Sequence, residues 1–362
     1  MKALNKTTKK NFITMGGLLL VYVLVVILKE GGYTSYLING QLVPICAYML
    51  MAVSLNMVVG ILGELSLGHA GFMSVGAFSG VVVTRLLQDK VESEVLCLLV
   101  GVLIAGILAA FAGLVIGIPV LRLRGDYLAI VTLAFGQIIK SVVNVLYVGI
   151  ENGSLRFALI DKPKLAEGGR MIISGSMGAS GIRKISTFTF AFIVLFVCLI
   201  IIFNLIQSRT GRAIMALRDN RIAAESVGIN VTKYKLLVFS VSAGMAGMAG
   251  CIFAHNFSTV SPVKFDFNTS ILVLVFVVLG GLGSMRGSLI AAALLTLLPE
   301  LLRQFSDYRM LVYAIVLILV MIGTNNEKVK NFFKEVFGVI KKPFVRKAES
   351  EQEVKKEENA NG

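Results

Sequence analysis

Residues Val95–Leu121, VLCLLVGVLIAGILAAFAGLVIGIPVL, run for 27 residues without one charged side chain. As a helix at about 1.5 Å per residue they reach about 40 Å, beyond the ~30 Å hydrocarbon core of a bilayer. A helix of a water-soluble domain keeps a polar face, and this one has none. Small residues recur at every fourth position: Gly101, Ala105, Ala109, Gly113 and Gly117. They leave one helix face nearly smooth, so that a neighbouring helix can approach closely.

The same character extends outward in both directions. Further apolar runs are Phe12–Leu28, Leu42–Leu62, Ser66–Leu86, Asp126–Val148, Thr187–Gln207, Leu236–Ala254 and Arg309–Gly323. Two shorter runs, Ser270–Ser284 and Ser288–Leu302, flank Met285-Arg286-Gly287. At 15 residues each they reach only about 22 Å, so two tilted crossings and one re-entrant pair both fit. Across the 362 residues 56% are hydrophobic and 15% charged, against about 25% charged in soluble domains. Mean hydropathy is +0.83. The expected fold class is an all-α polytopic membrane bundle of about eight to ten segments.

Charge placement orients the bundle. With the amino terminus inside, 21 of the 35 Lys and Arg fall on the inner side. The expected organisation is a cytoplasmic segment 1–11, a membrane domain 12–323 with a cytoplasmic loop 208–235, and a charged cytoplasmic tail 324–362, its end disordered. Phe12–Leu28 has a basic flank but no small-residue cleavage site after it, and reads as a retained first span. The net charge of +14 suits inward-facing loops in so apolar a chain, and no nucleic-acid partner is expected. Cys46, Cys97, Cys198 and Cys251 lie inside apolar runs with no C-x-x-C pair, which makes them packing residues. His69 has no second ligand at metal spacing, so no metal site is expected.

Three stretches carry more than hydropathy. Gln137, Lys140, Ser141 and Asn144 follow i, i+3, i+4, i+7 and share one face, which either lines a hydrated pathway or lets Lys140 snorkel. Gly60–Phe72, GILGELSLGHAGF, places Glu64, Ser66 and His69 among four glycines. It is either a broken helix that meets a polar solute or a tight cytoplasmic turn. Ser208–Lys235 contains a helical run with Ile214, Leu217, Ala224 and Val227 on one side and Gly228 at a helix end. It lies on the lipid surface or docks into a partner's cleft. Ala223 and Ala224 give a low-profile surface flanked by Arg218, Asp219, Arg221 and Glu225. The smooth stripe recurs in Ala243, Gly244, Gly247 and Gly250, for packing or for sliding.

The loop with Ala223-Ala224-Glu225 and Gly228 resembles the ATPase-coupling region of ABC-importer permeases. Leu62–Phe72 (LGELSLGHAGF), Leu121–Ile139 (LRLRGDYLAIVTLAFGQII) and Leu279–Gly287 (LGGLGSMRG) are similar to branched-chain amino acid importer permeases of the LivH/LivM type. LRGDYLAIVTL and the loop ending SVGIN point to the LivM branch, and the resemblance covers Leu42–Gly323. Glu151–Ile182 departs from it by an apparent insertion with a loose glycine-rich motif, and the charged tail is longer. The resemblance implies a bacterial plasma-membrane permease, and the charge count places both termini in the cytoplasm. Its partners would be two cytoplasmic ATP-binding subunits, a second related permease and an extracytoplasmic substrate-binding protein delivering leucine, isoleucine or valine. The resemblance also implies coupling through Ala223, Ala224, Glu225 and Gly228, with Arg218, Asp219 and Arg221 as charged flanks. The polar residues themselves make Asn56, Glu64, Ser66, His69, Gln137 and Lys140 the pathway candidates. No phosphate loop, HExxH or nucleophile elbow occurs, so no catalytic residue and no bound cofactor are expected, and ATP is used by the partners. The alternatives are a permease for urea, an amide or a nucleoside, a gradient-driven transporter, and an intramembrane enzyme.

Overall fold

The computed structural model describes residues 6–32, 36–88, 90–121, 123, 125–151, 154–160, 162–163 and 169–302, with positions 308, 311, 312, 314, 315 and 318. The expected span Arg309–Gly323 and the charged tail lie outside these, scattered positions aside. The helices are α1 (Lys6–Glu30), α2 (Tyr36–Asn56), α3 (His69–Leu87), α4 (Glu94–Val120) and α5 (Asp126–Val145). After a strand region follow α6 (Phe188–Gln207), α7 (Arg209–Asp219), α8 (Arg221–Ser226), α9 (Val231–Ala254), α10 (Phe267–Gly280) and α11 (Met285–Leu301). Among the described residues, seven helical stretches are long and apolar enough to cross a membrane. The protein is a multi-pass helical membrane protein.

Polar caps set where the apolar runs begin. Ser93, Thr187, Ser208, Asn220, Asn230 and Asp266 each accept a backbone N–H from the first turn of the helix they precede, α4, α6, α7, α8, α9 and α10. A side-chain oxygen there satisfies a donor that the helix start leaves without a partner.

α9 is the centre of the bundle. Its small-residue face meets α4 running the opposite way: a Cβ on Gly113 would lie 2.5 Å from Ala243 Cβ, and one on Gly106 2.6 Å from Met248. α3 runs parallel to α9, as pairings at both of its ends show. His69 Nε2 lies 2.8 Å from Ser242 Oγ, and Thr84 Oγ1 lies 2.8 Å from His255 Nε2. Between them Gly76 and Gly247 bring the two backbones into direct contact, so a Cβ on Gly76 would overlap Gly247. The recurring small residues are thus a packing face shared by three helices.

The two short apolar runs form a hairpin, α10 and α11, turned at Gly281–Ser284. α10 follows α2 in the same direction, with Tyr48 and Phe276 in edge contact at 6.1 Å and Gly283 N bonded to Asn56 Oδ1 at 2.9 Å. α11 returns along α2, from Ser288 at Asn56 (2.9 Å) to Glu300 at Gln41 (3.4 Å). Gln41 and Asn56 lie near opposite ends of α2, so the returning arm runs nearly its whole length.

Among the described residues one small sheet accompanies the helices. β1 (Leu146–Glu151), β2 (Ser154–Leu159), β3 (Arg170–Ser174), β4 (Ala179–Ser180) and β5 (Thr259–Val260) pair antiparallel in the order β2-β1-β3-β4-β5. The expected span Asp126–Val148 therefore stops at Val145. Leu146-Tyr147-Val148 is as apolar as the helix before it, so hydropathy alone runs across the boundary, whereas these residue types also suit a half-buried strand. α9 starts directly from α8 and ends just before β5, which puts the sheet and the α7–α8 loop at opposite ends of the bundle.

Candidate functional site

The chain reverses direction between α2 and α3. α2 runs antiparallel to α9, with Tyr48 against Phe253 and Ser54 O at Ser242, while α3 runs parallel to it. The break between them is therefore a turn at the α7–α8 end of the bundle. α2 passes into a π-helical turn, Met57–Leu62, which ends at Gly63 with φ +81°. A left-handed residue is where glycine costs least. Residues 63–68 then have no regular structure until His69 opens α3. π-turns inside α-helices concentrate at functional positions.

Asn56, fully buried, is committed at both ends of its amide. Nδ2 donates to Ser288 Oγ at 2.9 Å, and Oδ1 accepts from Gly283 N at 2.9 Å. It clamps the α10–α11 turn to the π-turn. Gly60 permits the closest approach, since a Cβ there would overlap both Asn56 and the Gly283 backbone.

Leu67 N, in the irregular segment, donates to Thr132 Oγ1 at 3.0 Å, and Ala70 N, in the first turn of α3, to Ser270 Oγ at 3.2 Å. His69 is fully buried. Ser242 Oγ donates its only hydrogen to Ser54 O at 2.5 Å, so it accepts from His69 Nε2–H. A neutral imidazole then leaves Nδ1 as an acceptor, and Nδ1 has no partner. Ser66 Oγ, three residues earlier, is buried and also unpartnered. Buried polar atoms of this kind call for water or a ligand. Glu64 is paired: its Oε1 meets Lys235 Nζ, with side chains 15% and 7% exposed.

On α5 the four expected polar residues are only partly withdrawn from the surface. Gln137 and Ser141 line an open groove with Ile138, Val142 and Val145. Lys140 is half-buried, Ser141 is exposed, and Asn144 keeps a buried Oδ1 without a partner. Polar groups on an outward face at membrane depth are costly against lipid.

The 208–235 loop holds two helices rather than one run, because Asn220 ends α7 and caps α8 through Ala223 N at 3.1 Å. Ile214, Leu217 and Ala224 turn inward as expected. Val227 does not: it is 76% exposed, because the helix has ended at Ser226. Gly228 follows with φ +84°, its N–H bonding Glu225 O at 3.0 Å while Ile229 N bonds Ala224 O at 3.1 Å. Arg221 pairs with Glu225 at 3.0 Å along α8. Arg218 bonds Asp219 Oδ1 through Nε at 3.2 Å and Nη2 at 3.1 Å, and its Nη1 reaches Gly60 O at 3.1 Å. The outward surface is Ile222, Ala223 and Val227 rimmed by Asp219, Arg221 and Glu225.

The expected residues thus fall into three groups: the loop end, the break with Asn56, Glu64, Ser66 and His69, and the α5 face. Lys235, Ser242, Gly283 and Ser288 act on the break and were not anticipated. Two of them carry a signal in the sequence, Lys235 as a cation at the threshold of an apolar run and Gly283 within the LGGLGSMRG stretch.

The family described as branched-chain amino acid transport system / permease component matches residues 37–321. The chain is 38% identical over 289 residues to the high-affinity branched-chain amino acid transport system permease protein LivM of Salmonella typhimurium, covering 76% of this chain. It spans 66%, just under two thirds, of that relative's own length. The LivH permease protein of the same organism is 26% identical over 279 residues, 76% of this chain and 88% of the relative. The ribose import permease protein RbsC of Escherichia coli is 32% identical over 130 residues, 34% of this chain and 40% of the relative. No solved structure matches the chain.

Proposed function

The chain belongs to the family of branched-chain amino acid transport permease components, and on that premise we propose that it is the permease of an ATP-driven importer for leucine, isoleucine and valine. Two cytoplasmic ATP-binding subunits would engage the α7–α8 loop, a second related permease would complete the membrane assembly, and an extracytoplasmic binding protein would deliver the solute at the sheet end. Both termini would then lie in the cytoplasm of a bacterial cell. The chain itself would bind no cofactor.

The observation that carries this reading is α8. Six residues long, it stands between Asn220 and Gly228 at one end of the bundle and presents Ile222 (77% exposed) and Val227 (76% exposed) outward. Its buried side, Ala224, packs with Leu217 and Val231. A short exposed helix anchored to the first turn of the central helix α9 suits helix-in-groove docking by a cytoplasmic partner. The exposed polar residues of α5 and the unpartnered Ser66 Oγ and His69 Nδ1 supply polar groups for a pathway.

A second solute class has one observation in its favour, the partial likeness to a ribose permease. Affinity purification of the tagged chain from its native membrane tests the importer reading, with calorimetry on the co-encoded binding protein. Recovery of an ATPase and a second permease, with leucine binding, is the expected result. A chain recovered alone would overturn it, and a binding protein that takes a sugar would move the solute assignment.

A further inference from the structure

Two basic residues on either side of α8 reach out of the loop and grip the turn between α2 and α3. Arg218 lies on α7 before α8, and Lys235 on α9 after it. Arg218 Nη1 donates to Gly60 O at 3.1 Å, and Lys235 Nζ holds the Glu64 carboxylate. The contacts fall on either side of Gly63, the left-handed residue at which the helix ends.

The break creates the acceptor that Arg218 uses. In an uninterrupted α-helix the amide of Glu64 would bond Gly60 O. Here it bonds Val58 O at 3.2 Å, so Gly60 O is a carbonyl of the last turn free for another donor. A cation at a helix C-terminus is favoured by the aligned peptide dipoles. Asp219 orients the guanidinium through Nε and Nη2. The Arg218 stem lies against Gly63, where a Cβ would sit 2.7 Å from Arg218 Cγ. Gly283 of the α10–α11 turn rests on the same Gly60.

We propose that Arg218 and Lys235 are positioning residues that carry the displacement of α8 into the break, and through it to Ser66 and His69. The inference rests on the importer reading and goes beyond it, because it assigns Arg218 an inward task in place of contact with an ATPase. Movement of α7 relative to α9 changes the spacing between Gly60 and Glu64, and with it the opening before α3. Glu64 lies in the irregular segment that leads to His69, and Gly60 in the π-turn just before it.

The test uses the whole complex in proteoliposomes with its own binding protein and leucine, measuring leucine moved per ATP hydrolysed. Arg218→Ala should retain the ATPase through purification yet lower that ratio about tenfold, the loss of a hydrogen bond to a charged group. Arg218→Lys should restore part of it. The exchanged pair Glu64→Lys with Lys235→Glu should outperform either single change. Amides of residues 60–68 should change hydrogen exchange on vanadate trapping in the parent complex and not in Arg218→Ala. A wild-type ratio in Arg218→Ala with unaltered exchange overturns the proposal. Loss of the ATPase from Arg218→Ala also overturns it, by making Arg218 a docking contact. Absence of an ATPase from the parent complex would instead overturn the importer reading, before any variant is compared.

Discussion

Lys235 on α9 and Glu64 in the broken segment before α3 form an ion pair that is almost wholly withdrawn from solvent, and it ties the exit of the α7–α8 loop to the entrance of α3. Pairing is what makes either charge tolerable at that depth. The pair redefines Glu64, which is engaged by the protein itself rather than held free for a cationic group of a solute.

Glu64→Gln leaves the Lys235 ammonium buried and unpaired. Breaking one partner of such a pair costs about 3–5 kcal/mol. Thermal unfolding in detergent, followed with a dye that reacts with the four buried cysteines as they become exposed, should show a clearly lower midpoint. An unchanged midpoint would mean that the pair does not form.

Ser66→Ala tests the unpartnered hydroxyl. Removing a buried polar atom that makes no protein bond carries no loss of a partner. Its unfolding midpoint should therefore equal or exceed that of the parent, while uptake falls. A drop in stability with normal uptake would show that Oγ is bonded within the protein and stands off the pathway.

Gly228→Val addresses the end of α8. At φ +84° a β-branched residue is strained by about 1–3 kcal/mol, although a Cβ there would touch nothing. Uptake should be lost with membrane insertion intact, and Gly228→Asn, which tolerates the left-handed region, should retain most of it. Equal uptake in the two variants would remove the α8 terminus from coupling.

Charge reversal at Lys140 separates the two readings of α5. If that face lines a hydrated route, Lys140→Glu should alter the concentration dependence of uptake. Unchanged kinetics would leave Lys140 as a snorkelling side chain.

Much of the bundle could be read from residues alone, because charge-free runs and four-residue spacing of glycine and alanine are local signals. The two stripes meet in the α4–α9 contact, Gly113 at Ala243 and Gly247 at Ala105 and Ala109. The sheet was not foreseen, since Leu146-Tyr147-Val148 extends the apolar run of α5 and only pairing with residues 157–159 and 173–174 reveals a strand. Of the two open readings of Gly60–Phe72, the geometry is that of the turn, since α2 and α3 run in opposite directions along α9, and its long-range partners were beyond sequence. Ser242 and Ser288 are single hydroxyls in apolar runs, and their bonds to His69 and Asn56 span 173 and 232 residues. Arg218 was legible as a charged flank of the loop. Its inward direction was not, because it depends on a carbonyl freed by the π-turn.

As proposed, the permease would move a branched-chain amino acid at the expense of ATP hydrolysed by partner subunits. The most direct measurement is leucine uptake into proteoliposomes that hold the purified complex, with the binding protein on one side and ATP on the other. Uptake that requires ATP, the binding protein and leucine together is the predicted result. Uptake that proceeds without ATP and follows an imposed ion gradient would contradict it.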